Sequence, residues 1–256
     1  MKGLSSFGLF TTFTLLVSLL MTTHQSSAEL IGQWLFDEGD GKVAKDSSGN
    51  GHDGEFVGKL NWVDGQFATA LEFDGAQSCV KISPGLEHED FTIVAWVYSE
   101  GDWGVKRTEI WTGSQTYADS VLIRGDERAD WKQGEAMLHW NDGAAWHAIG
   151  SGKLKAKTWY HLAGTYDGKE LKFYLDGKLK GAEATAIRAG AGDTTIGCHP
   201  NPANWFGGII DDVGIFDNAL TEEEINIIIT RGLENRLSVD PAKKFATHWA
   251  KIKNLY

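Results

Sequence analysis

The chain has 256 residues, 42% of them hydrophobic, and carries 35 acidic against 24 basic side chains for a formal net charge of −11. That balance argues against nucleic acid or an anionic membrane surface as partner and tolerates bound cations. The length fits one large β domain or two small ones and allows a proper core.

In chain order, Lys2, an uncharged stretch from Phe7 to Met21 and the small residues Ser26, Ser27 and Ala28 form a secretory signal with cleavage expected after Ala28. The apolar run is short and interrupted by Thr and Ser, which disfavours a membrane span. Residues 1–28 are therefore read as a signal peptide, 29–232 as one domain and 233–256 as a tail, in an exported, secreted or otherwise extracytoplasmic protein.

β-type runs then recur at 31–36, 68–74, 79–83, 91–99, 108–113, 119–126, 135–142, 146–151, 158–167, 170–177, 193–198 and 207–216. They are linked by turn segments such as "DSSGNG", "FDGA", "WNDG", "YDGK" and "LDGK", in which Gly supplies positive φ and Asp or Asn forms an Asx-turn. A dozen short strands with hairpin signals predict an all-β antiparallel sandwich or barrel. One helix is specified: Thr221 as cap, Glu224 as its capping-box partner, Leu220 and Ile225 as a hydrophobic staple and Gly232 as the stop. A second helix is predicted in the tail, capped by Asp240 and Pro241, with Phe245, Trp249 and Ile252 at helical spacing.

The closing strand "GGIIDDVGIF" places Asp211 and Asp212 among hydrophobes. Strict alternation puts Asp211 on one face with Ile209, Val213 and Ile215, and Asp212 on the other with Ile210, Gly214 and Phe216. An ionised carboxylate in such surroundings requires a partner, hydrogen bonds or a cation. Cys79 and Cys198 either pair, as an oxidising compartment permits, or remain isolated buried thiols; the sequence leaves both open.

The ordered set "WLFDEGDGKVAKDSSGNGHDGEF", "ALEFDG", "FTIVAWV", "WYHLAGTYDGKELKFYLDG", "TIG" and "FGGIIDDVGIFDNALTEEEI" resembles the LamG-like domains of the concanavalin A-like lectin/glucanase superfamily over roughly residues 30–232. The resemblance implies a two-sheet antiparallel jelly roll with its first and last strands adjacent. It also implies a structural calcium ion, Ca2+, held by Asp211 with Asp37 and the Gly75 carbonyl nearby. Asp46, Asn50 and Asp212 are weaker candidates, since Asp46 and Asn50 suit an Asx-turn and Asp212 suits backbone amides. Gly214 stands where the family commonly has a basic residue.

Glycosidases of this fold carry three acids on one strand in E-x-D-x-x-E or E-x-D-x-x-x-E order, and neither pattern is complete here. No G-x-S-x-G elbow or compact zinc motif occurs among the eight His. His161, at a common family position, reads as a core hydrogen-bonding residue. The expectation is a non-enzyme, with an uncharacterised glycoside hydrolase or a protein-interaction module as alternatives.

Eleven Trp point to glycan binding. Trp34, Trp96 and Trp159 fall in framework strands, whereas Trp103, Trp111, Tyr117, Trp131, Trp140, Trp146 and Trp205 are interleaved with polar residues. Aromatic faces stack on sugar rings while neighbouring polar groups bond the hydroxyls. The loop "GCHPNPANWFGG" adds His199, Asn201 and Asn204 beside Trp205. A glycan or glycoprotein is the expected partner.

Overall fold

The computed structural model describes residues 29–84, 86, 89–101, 133–187, 192–199 and 204–235, and the backbone of the strands at 108–112 and 120–123. The signal peptide predicted at 1–28 and the tail helix predicted beyond Asp240 lie outside them. The strands are β1 (Leu30–Trp34), β2 (Val43–Ala44), β3 (Gly54–Val57), β4 (Asn61–Asp64), β5 (Thr69–Asp74), β6 (Cys79–Ile82), β7 (Phe91–Tyr98) and β8 (Thr108–Thr112). They continue as β9 (Ser120–Ile123), β10 (Glu135–Asn141), β11 (Trp146–Lys153), β12 (Trp159–Tyr166), β13 (Glu170–Leu175), β14 (Lys178–Ala184), β15 (Thr194–Ile196) and β16 (Gly207–Phe216), before α1 (Glu222–Arg231).

Two antiparallel sheets result. One has the order β14-β13-β12-β7-β16-β5-β4, with β1 also on β16; the other runs β11-β10-β9-β8-β15-β6-β3-β2. The inward faces meet in one core containing Trp34, Leu71, Phe73, Ile93, Leu138, Trp140, Leu162, Phe173 and Ile215. The sequence reading missed β2, β3, β4 and β14. β14, "KLKGAEA", is an edge strand whose lysines and small residues carry little strand propensity; it is held by its pairing with β13.

β16 is the hub of its sheet. One edge pairs with β7. The other pairs with β5 from Gly207 to Ile210 and then with β1 from Val213 to Phe216. A bulge between Asp211 and Gly214 marks the change of partner, and Asp212 takes a left-handed φ of 47°. This corrects the alternation expected for the strand, because the extra residue puts Ile210, Val213 and Ile215 together in the core. Both acids thereby escape the main apolar interior. Gly214 has a packing reason, since a Cβ there would lie 2.8 Å from Leu233 Cδ2 and 3.3 Å from Val94 Cγ2.

Thr221 caps α1 and completes the capping box with Glu224. Ile225 and Ile228 pack with Leu220, Phe216, Val94 and Leu233 in a second cluster over the outer face of the β16 sheet. Cys79 and Cys198 form a disulfide with their Cα atoms 5.5 Å apart. It joins the start of β6 to the residues after β15, two neighbouring strands. Closing a loop across 119 residues restricts the unfolded chain by up to about 5 kcal/mol in the chain-entropy model. Replacing both cysteines with alanine is therefore expected to lower the unfolding free energy by about 2–5 kcal/mol, measured by denaturant titration, without changing the far-ultraviolet spectrum of the native protein.

Candidate functional site

Asp211 and Asp212 sit where β16 exchanges β5 for β1, and both are buried. Asp211 Oδ2 accepts from the Phe67 amide at 2.9 Å, while Oδ1 has no hydrogen-bond partner among the described residues. Burial pushes the Asp211 carboxyl up to about 8, and the charge of Asp212 adds to the shift against the Phe67 amide. Asp212 is raised to about 6, first by burial and then by Asp37 and Glu234, although its Oδ2 accepts from the Leu233 amide at 2.8 Å.

The β4–β5 turn supplies further oxygens. A Cβ on Gly65 would lie 2.6 Å from Asp211 Oδ2, 2.6 Å from the Phe67 carbonyl and 2.9 Å from the Thr69 carbonyl. Only glycine lets the turn approach this closely and bring three oxygens together, with Asp37 tied to this turn by the Thr69 amide at 3.0 Å. These hard oxygens and the orphaned Oδ1 fit a cation such as calcium. Among the described residues, no group of three or more His, Cys, Asp or Glu side chains is placed to hold a metal, so backbone carbonyls would have to complete the shell.

Three residues named for this site are placed elsewhere. Gly75 follows Asp74, which pairs with Gly207, so it lies about 13 Å along the sheet from Asp211 at ~3.3 Å per residue. Asp46 turns both oxygens onto backbone amides, accepting from Gln33 and Ser48 through Oδ1 and from His52 through Oδ2. Despite the opposing effect of burial, the Ser48 side chain and these amides hold its carboxyl below the usual value. Asn50 donates to the Leu30 and Ile31 carbonyls in the same loop.

The aromatic candidates separate in the same way. Trp140 is fully buried and its Nε1 donates to Thr185 Oγ1 at 3.1 Å, which corrects its assignment to a sugar surface. It lies on the core face of β10, alternating with His139 and Asn141. Trp146, opposite Asn141 across the β10–β11 hairpin, is 50% exposed. Its ring stacks on His139 with centroids 4.6 Å apart and an angle of 6°. The hairpin turn is set by Asp142, whose Oδ1 accepts from the Ala144 and Ala145 amides. Trp103, Tyr117, Trp131 and Asn201 lie outside the described residues, and Trp111 is described only as part of β8, in register with Ile196 and Val121.

His199, Asn204 and Trp205 belong to an extension of the sheet beyond β15. The His199 amide donates to the Asn204 carbonyl, Cys198 bridges with Trp205 and the Phe206 amide donates to Gly197. All three side chains are half-buried. β15 runs antiparallel to β8, which through β9 is parallel to β10, so this loop leaves the opposite end of the sheet from the β10–β11 turn. Trp146 and Trp205 are not brought together.

A row of buried polar side chains, whose alignment the sequence did not show, crosses the sheet beside the acids. Asp211 pairs with Trp96, and Trp96 with His161, across three adjacent strands. Trp96 and His161 meet edge to face at 5.2 Å, and among the described residues neither ring has a hydrogen-bond partner, which corrects the hydrogen-bonding role expected of His161. Burial lowers the His161 imidazole to about 3, so it stays neutral. Trp159, on the same sheet, rests against Tyr98 with centroids 5.6 Å apart.

A family model described as the concanavalin A-like lectin/glucanases superfamily, of laminin-G type, matches residues 74–226. The chain belongs to this superfamily. No curated protein matches the sequence. Among solved structures, domain 4 of AbnA, an extracellular GH43 arabinanase from Geobacillus stearothermophilus in complex with arabinotriose, is similar with a TM-score of 0.64 and 24% identity. That match covers 78% of this chain and 97% of the domain. The binding domain of Paraclostridial Mosquitocidal Protein 1 gives a TM-score of 0.62 at 15% identity, covering 78% of this chain and 52% of that one. The receptor-binding domain of a botulinum neurotoxin C/D mosaic gives 0.61 at 16%, covering 79% and 51%. The chain thus spans about half the length of these toxin domains, and at such identities the likeness concerns the fold.

The acid pair has a measurable signature in cation-free protein. Both folded-state values lie above the ordinary 3.8, so the stability these groups contribute is complete below that pH and is lost as pH rises through about 6 and about 8. Thermal melts in chelator are expected to show a falling midpoint from pH 5 to 8, and Asp211→Asn is expected to flatten most of that decline.

Proposed function

We propose that this protein is an exported, non-catalytic glycan-binding module in which Trp146 is the stacking platform and a calcium ion supports the β16 junction. The observation that carries the reading is the half-exposed Trp146 ring held parallel to His139. A flat ring braced from behind loses little freedom on contact and offers its other face to the apolar side of a sugar. The carbohydrate-binding character of the superfamily and the arabinotriose bound by the AbnA domain support this class of ligand.

For the cation, Asp211 and the Phe67 and Thr69 carbonyls are the residues that would hold it. Its charge would offset the cost of burying ionised Asp211 beside Asp212. No step of chemistry is assigned to it; its role is to fasten the β4–β5 turn to β16.

Isothermal titration with neutral oligosaccharides, beginning with arabinotriose and glycoprotein-derived glycans, tests the platform. Trp146→Ala is expected to weaken binding by roughly tenfold or more, the equivalent of about 1.4 kcal/mol, with an unchanged melting midpoint. Unaltered affinity in the variant would remove Trp146 from the site. For the ion, calcium at about 100 times its dissociation constant is expected to stabilise wild type by roughly 2.7 kcal/mol over chelator-treated protein, and to leave Asp211→Ala unaffected. Equal melting of wild type in calcium and in chelator would return the acids to backbone amides alone.

A further inference from the structure

Next to Trp146, both ring nitrogens of His147 face carboxylates. Nε2 lies 2.9 Å from Asp142 Oδ2, and Nδ1 lies 3.2 Å from Glu183 Oε1. Asp142 belongs to the turn of the same hairpin, whereas Glu183 belongs to β14, the edge of the other sheet. An ionised carboxylate only accepts, and a neutral imidazole has one N–H and one lone pair. In the neutral ring, one of the two contacts sets a lone pair against a carboxylate oxygen. An imidazolium donates to both.

An aromatic ring and two carboxylates surround the imidazole. The His147 ring stacks on Trp140 with centroids 5.3 Å apart at 17°, which places a cation over an aromatic face. Asp142 is ionised throughout the range of interest, because the Ala145 and Ala144 amides, followed by His147, hold it at about 2. Opposite Glu183 on β13 stands the apolar Leu171. Neither carboxylate has a lysine or arginine partner among the described residues. The side chains of His147 and Asp142 are each 28% exposed, so bulk water can exchange their protons.

We propose that His147 is a proton-operated clasp that fastens the β10–β11 hairpin to β14, joining the two sheets at this edge when the imidazole carries both protons and releasing one contact when it loses one. Trp140, bonded to Thr185 just past β14, serves as the fixed pin beside it. On the reading of Trp146 given above, the clasp also regulates the platform, firming the hairpin on the acid side of neutrality.

Thermal unfolding of wild type, His147→Gln and Glu183→Gln between pH 5 and 8 tests the clasp, together with nitrogen-resolved NMR of the His147 ring. The acid pair on β16 titrates in the same range and is common to all three proteins, so the readout is the difference between wild type and variants. Histidine changes charge in this window. Wild type is expected to lose about 2–4 °C more than either variant as the pH rises, the shift of a single such interaction in a domain of this size. Both ring nitrogens of His147 are expected to be protonated at pH 5. Parallel melting curves for wild type and Glu183→Gln, or a singly protonated ring at pH 5, overturn the proposal. Arabinotriose titrations on the same proteins separate the two ideas. A melting difference without sugar binding retains the clasp and discards the platform, whereas pH-dependent affinity lost in Glu183→Gln supports both.

Discussion

β16 must be hydrogen-bonded along both edges, yet no single strand runs the whole length of one of them. β5 ends its pairing at Ile210 and β1 begins at Val213. Backbone groups and side chains at that gap cannot be satisfied by a regular ladder. The bulge, the left-handed Asp212 and the two carboxylates all occupy it, and each acid takes an amide from a segment that would otherwise be loosely attached: Phe67 from the β4–β5 turn and Leu233 from the chain after α1. The polar cost of the handover is thus turned into two tethers. Leu233 adds a third element, because Gly214 gives it room to pack directly on the strand.

The second sheet is fixed by different means at its two ends. Beyond β15 a covalent bridge holds neighbouring strands and shapes the loop that carries Trp205. At the β10–β11 end, the polar ties from the hairpin to the opposite side among the described residues are the hydrogen bond of Trp140 and the His147–Glu183 contact. Recognition on a sandwich usually falls to its connecting loops, where the scaffold is least constrained. A hairpin secured by adjustable polar contacts and carrying an exposed ring matches that division of labour better than a loop locked by sulfur.

Much of the fold could be read from residue order. The alternating runs with Asp-Gly turns marked the long strands, and "LTEEEI" specified the helix start through the Thr221–Glu224 box. The short strands around Phe56 and Trp62 were hidden because four residues carry too little periodicity to stand out from a loop. The site was less legible. A tryptophan beside polar neighbours looks the same in sequence whether it faces in or out; Trp140 and Trp146, six residues apart, differ only by the parity of their position in a hairpin whose register the turn decides. The bulge at Asp211 was likewise invisible, since its cause is the meeting of β1 and β5, strands far apart in the chain. Gly65, which lends its empty side to the acid, gave no local signal.

The pairing of β1 with β16 has a temporal side. Leu30 meets Phe216, and Cys79 meets Cys198, only after nearly the whole domain has been made. A chain emerging from its amino end therefore carries an unpaired first strand and an unpartnered thiol throughout synthesis, and contacts so distant in sequence form slowly once they can. Such a molecule cannot close strand by strand from its amino end, and its fold is completed only when the final strand arrives.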